Sequence, residues 1–75
     1  MKREDFLRML DELLELPSGT LTGPERLADL EGWTSLAVLG FLALADERCG
    51  VTVAARQVLN CQTVNGLLSL AGVPE

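Results

Sequence analysis

From Arg3 to Leu16, Phe6, Leu10, Leu13 and Leu14 recur at helical spacing, with Glu4, Arg8, Asp11, Glu12 and Glu15 between them. That period predicts an amphipathic first helix whose carboxylates lie on a solvated face. Pro17-Ser18-Gly19 ends it, because proline restricts the residue before it and glycine and serine favour turns. Between Thr20 and Trp33 no period is sustained, yet Leu21, Leu27, Leu30 and Trp33 can tuck a long loop onto the helices. Loops of this length in small domains are often functional.

Periodicity resumes at Ser35. A second helix is expected from Ser35 to Cys49, with Thr34 as N-cap, Leu36 turning inward and Gly50 as a terminator able to take positive φ. It is apolar on most sides, which marks a helix packed by several neighbours. A short third helix is expected over Thr52 to Leu59, capped by Thr52. A last helix from Thr63 to Ala71 would bury Val64, Leu67, Leu68 and Leu70, with Gly72 and Pro74 closing it. The fold expected is all-α: one small four-helix domain over residues 1–75, with a long loop between helices one and two and a short third helix.

Composition narrows the function. A chain of 75 residues is near the size where one hydrophobic core only just suffices, which is too little for a multi-step enzyme. There is no His to serve as a base, so no catalytic role is assigned to the chain. Eleven acidic residues against six basic ones give a net charge of −5, which repels nucleic acid and anionic membranes. The longest uncharged apolar run, Leu36 to Ala45, is half of the ~20 residues that a membrane span needs. Met1-Lys2-Arg3-Glu4-Asp5 alternates in sign without an apolar stretch after it, so no secretory signal is expected and the mature chain would start here. Cys49 and Cys61 then read as reduced, partly buried thiols, and without His or a second Cys pair they make no zinc site. A cytoplasmic monomer is expected.

The candidate chemistry lies at the junction Gly32-Trp33-Thr34-Ser35-Leu36. A hydroxyl in the first turn of a helix faces solvent at the positive end of the dipole, where an attached phosphate is favoured. Serine is also common at helix starts for structural reasons alone. The wider strings are more specific: Asp29-Leu30-Glu31-Gly32-Trp33-Thr34-Ser35-Leu36-Ala37, then Asp46-Glu47-Arg48-Cys49-Gly50-Val51, then Thr63-Val64-Asn65-Gly66-Leu67. Together they resemble the acyl carrier protein family over nearly the whole chain.

In that family an Asp-Ser-Leu triplet opens the second helix. Its serine carries a 4′-phosphopantetheine arm, whose thiol holds an acyl group as a thioester. Here the triplet is Thr34-Ser35-Leu36, with threonine in place of the aspartate. The resemblance implies a covalent 4′-phosphopantetheine on Ser35, installed from coenzyme A by a phosphopantetheinyl transferase. It also implies presentation to acyl-transferring or acyl-activating enzymes of fatty acid, polyketide or related biosynthesis. Cys49 stands where the family usually has phenylalanine, and Cys61 where it has an aliphatic residue. An acyl cleft between helices two and three would be lined by Leu39, Leu42, Ala43, Val58, Leu59, Cys61 and Leu68. With acidic residues missing from the exposed part of helix two, Ala37, Gly40 and Leu44 are the expected docking strip, flanked by Asp29, Glu31, Asp46 and Glu47.

Two alternatives stand beside this reading. An unmodified helical interaction module is compatible with Thr34 in place of aspartate. A peptidyl carrier for aminoacyl thioesters would usually show Gly-Gly-His/Asp-Ser before the leucine, where this chain has Glu31-Gly32-Trp33-Thr34-Ser35.

Overall fold

The computed structural model describes residues 1–74. It contains four α-helices: α1 (Arg3–Leu13), α2 (Ser35–Cys49), α3 (Ala55–Leu59) and α4 (Val64–Leu70), with a 3₁₀ turn at Leu27–Asp29. No strand occurs among the described residues, so the all-α bundle with a long first loop and a short third helix is what forms. Contacts run from α1 to α2, from α2 to α3 and from α3 to α4. One apolar cluster joins them, with Phe6, Leu10, Phe41, Val58, Val64, Leu67 and Leu68 at its centre. Phe6 and Phe41 meet edge to face at 6.0 Å between ring centroids, the geometry that aromatic quadrupoles favour.

The first helix ends three residues before the expected Leu16. Glu15 takes φ 58°, and the N–H groups of Glu15 and Leu16 return to the carbonyls of Glu12 and Asp11 at 3.1 and 2.8 Å. This is a Schellman closure with glutamate where glycine is usual. The apolar period continues through Leu16 and hides the stop. By contrast α2 ends as expected: Gly50 is left-handed at φ 66°, and the Val51 N–H reaches the Ala45 carbonyl at 3.1 Å.

The third helix departs from expectation at its start. It opens at Ala55, and Thr52 makes no cap; the Gln57 side chain instead accepts from the Ala54 N–H at 2.9 Å. Five residues are then fixed as helix, with Val58 as their buried anchor. Thr63 caps α4 by accepting from the Gly66 N–H at 3.3 Å.

The loop between α1 and α2 is tied down at both edges. Leu21 and Leu27 are buried in the core beneath it. Its far side pairs with the start of α4: the Leu27 N–H donates to the Gln62 carbonyl at 2.8 Å, Val64 N–H to Glu25 at 3.0 Å, and Asn65 N–H to Gly23 at 2.8 Å. This clasp joins residues 23–27 to the start of α4, and Leu30 and Trp33 beyond it pack against the core.

Candidate functional site

Ser35 is the first residue of α2, a helix of 15 residues, and it is exposed. Two tight turns deliver it. The Trp33 N–H donates to the Leu30 carbonyl at 3.1 Å, and the Thr34 N–H to Gly32 at 3.0 Å. Thr34 is extended at φ −115° and its hydroxyl accepts from the Ala37 N–H at 3.4 Å, a long cap bond. The first-turn N–H groups have no intrahelical acceptors, so this end of α2 carries partial positive charge. No acidic side chain occupies the first turn. A phosphate on the Ser35 hydroxyl would therefore meet donors and no carboxylate of that turn.

The flanking residues behave differently from expectation. Leu36 does not turn inward: it is 78% exposed, and Leu39 is 61% exposed. At 100° per residue, Ala37, Val38, Phe41 and Ala45 occupy the inward arc of α2, and all four are buried. Ser35, Leu36, Leu39 and Ala43 lie on the opposite arc. The expected docking strip of Ala37, Gly40 and Leu44 is corrected by the same geometry. Ala37 is buried and Leu44 half-buried, while Gly40 packs against α1, where a Cβ would overlap the Leu13 side chain.

The residues expected to line an acyl cleft are divided. Val58 and Leu68 are closed in the core at 1% and 0% exposure, whereas Leu59 is 73% exposed and Ala43 and Leu39 also face outward. Leu42 and Cys61 are half-buried against the core. Both cysteines are free and half-buried, and burial pushes the Cys61 thiol up from its ordinary value.

On the α1 side a groove of about 410 Å³ runs beside Ser35. Leu13, Leu14, Leu36 and Ala37 form its apolar wall, and Gly32 and Thr34 its edge. Gly32 comes so close to the end of α1 that a Cβ there would sit 3.2 Å from the Leu14 carbonyl oxygen.

Asp11 is the residue whose role the sequence hid. Its carboxylate is 1% exposed and accepts the Gly19 N–H at 2.8 Å and the Leu21 N–H at 3.0 Å. It is therefore a loop anchor and not part of a solvated acidic face. The signal was present in its spacing: Leu7 lies four residues before it and Leu14 three after, both buried. A second carboxylate, Glu25, organises the next turn by accepting from Thr22 N–H, Thr22 hydroxyl and Gly23 N–H at 2.9, 2.9 and 2.7 Å. Burial opposes its ionisation, but these hydrogen bonds together outweigh it and hold the carboxyl below its ordinary range.

Among the described residues, no helix is long and apolar enough to cross a membrane. Among known proteins, a family model described as the phosphopantetheine attachment site matches residues 4–71. No curated protein and no solved structure matches the chain.

Proposed function

The chain belongs to the phosphopantetheine attachment site family, whose members carry 4′-phosphopantetheine covalently on a serine, and from that premise we propose that Ser35 is the serine in this protein. The observation that carries the reading is the exposure of Ser35 as the first residue of α2, within the matched span. Thr34 holds the hydroxyl outside the helix by capping it. The first-turn N–H groups offer hydrogen bonds to a phosphodiester oxygen, and the dipole favours its charge. The residues present thus fit the group. In the loading reaction the Ser35 oxygen forms a bond to the phosphorus of coenzyme A, the pyrophosphate bond breaks, adenosine 3′,5′-bisphosphate leaves, and the hydroxyl proton passes to a base of the transferase.

When bound, the group supplies a thiol on a long arm that holds acyl groups as thioesters. The finer reading is an acyl carrier protein of fatty acid, polyketide or related biosynthesis, working as a cytoplasmic monomer. Its partners would be a phosphopantetheinyl transferase and acyl-transferring or acyl-activating enzymes. Glu31-Gly32-Trp33-Thr34 before Ser35 favours acyl over aminoacyl cargo, because the glycine pair of peptidyl carriers is missing. Leu36 and Leu39, bare and on the same arc as Ser35, supply an apolar surface that a partner would cover while reaching the arm.

The test is incubation with coenzyme A and a broad-specificity transferase, then intact-mass analysis of the wild type and Ser35→Ala. The expected result is one phosphopantetheine increment in the wild type and none in the variant. No increment with any transferase, the cognate one included, would leave an unmodified interaction module as the better account.

A further inference from the structure

Both chain neighbours of Ser35, Thr34 and Leu36, line the groove on the α1 side. Its volume of about 410 Å³ is within the range of sites that hold small organic groups. Of the residues expected to line a cleft on the opposite side, Val58 and Leu68 are sealed in the core, Leu39 and Leu59 stand outward, and Leu42 and Cys61 are half-buried against the core. A concave site removes much more of a flexible group from water than one outward helix face does.

We infer that this groove, formed by Leu13, Leu14, Leu36 and Ala37, is a resting site for the pantetheine portion of the arm, an inference that rests on attachment at Ser35. The chemistry of the arm suits it. Just beyond the phosphate comes a carbon bearing two methyl groups, the most apolar part of the unloaded arm and the part that can reach a wall beginning at Leu36. Glu15 is the one charged residue in the lining, and it disfavours entry of the phosphate itself. The phosphate therefore stays at the N-terminus of α2 while the uncharged dimethyl segment enters the groove.

Gly32 and Gly40 explain why the groove exists. At Gly32 the loop presses on the end of α1, closing one edge, with Leu14 O only 3.2 Å from where a Cβ would be. At Gly40 the missing side chain lets Leu13 lie on α2, forming the wall. An arm resting here covers Leu36 but is turned away from Leu39 and Ala43, which leaves that part of the outer arc of α2 free for a partner enzyme. Engagement of the partner would then draw the arm out of the groove.

The experiment is NMR of the holo protein, with methyl-labelled Leu and Ala and an unlabelled arm, after mass analysis has confirmed loading. Nuclear Overhauser contacts between the dimethyl protons and methyls of Leu13, Leu14, Leu36 or Ala37 are expected. In Leu13→Ala and in Leu36→Gln, contacts to the remaining wall methyls should fall by at least half. Leu36 is 78% exposed, so its variant keeps the test valid if the Leu13 variant does not fold. Contacts to Leu42, Leu59 or Leu68 instead, no contacts in a loaded protein, or contacts undiminished in Leu36→Gln would each overturn the groove. Absence of any mass increment would remove the attachment itself and this inference with it, a result distinct from a loaded protein whose arm is free.

Discussion

At the scale of single residues, the buried carboxylate of Asp11 has the largest energetic leverage. Removing it strands two amide donors, those of Gly19 and Leu21, away from water. Hydrogen bonds to charged groups contribute roughly 1.5–3 kcal/mol, so Asp11→Ala should lower unfolding stability by about 3 kcal/mol in urea titrations. Asp11→Asn keeps one acceptor and should lose about half as much. Glu25 offers a pH test. Its folded pKa is depressed, so its contribution is fully present above the ordinary value of 4.5 and is lost as pH falls through the lower folded value. Glu25→Gln should flatten that acid-side decline, read from melting temperatures between pH 3 and 6 in steps of about half a unit. Thr34 is a third case. Thr34→Asp keeps a capping oxygen and adds a carboxylate able to pair with a basic group on a transferase. Loading by a broad-specificity transferase should quicken about fivefold, the rate equivalent of ~1 kcal/mol for an exposed ion pair. An unchanged rate would show that the transferase does not read this position.

At the scale of elements, how much the sequence reveals depends on where the signal for each element resides. Caps and terminators are local, and so Thr34, Gly50 and Thr63 marked both ends of α2 and the start of α4 within the chain itself. The end of α1 depends on Glu15 adopting φ 58°, which nothing in an apolar period reveals. Helix α3 has five residues and one buried anchor, too few for a period to establish its start. For α2 the difficulty is phase. When almost every position is apolar, periodicity cannot say which arc faces the core, and only packing against Phe6 and Leu13 decides it. That is why Leu36, Ala37, Gly40 and Leu44 face differently from expectation, whereas the place of Ser35 at the start of α2 does not depend on rotation. The partner surface proposed at Leu36 and Leu39 makes a prediction. Leu39→Glu should leave stability within about 0.5 kcal/mol, because the side chain is 61% exposed. Transferase loading should fall about tenfold, and more than for Glu47→Ala, since apolar centres contribute more affinity than charged rims. The opposite order, measured as kcat/KM, would place the contact elsewhere.

For the molecule as a whole, order depends on the clasp between the long loop and the start of α4. Arg3 of α1 donates through Nη2 to the Thr22 carbonyl at 2.9 Å and to the Asn65 side-chain oxygen at 2.7 Å. Three backbone bonds, from Leu27, Val64 and Asn65, complete the join. First helix, loop and last helix therefore meet at one point, around Gly23. Gly23 is at φ 127°, a conformation that side-chain-bearing residues rarely adopt, and a Cβ there would overlap Arg3 and Asn65. Gly23→Ala should consequently cost about 3 kcal/mol, by combining backbone strain with displacement of the Arg3 fork. For a chain of this length, total stability is on the order of 4–11 kcal/mol, so the loss approaches the whole in the weaker case. Native-state hydrogen exchange can separate a local from a global effect. If the clasp is part of the cooperative unit, the amides of Leu27, Val64 and Asn65 exchange in the wild type at the same free energy as those of Phe41 and Leu68, and all five fall together in Gly23→Ala. If only the three clasp amides lose protection, the loop opens alone, and the mouth of α2 is then held by its own two turns and not by the distant end of the chain.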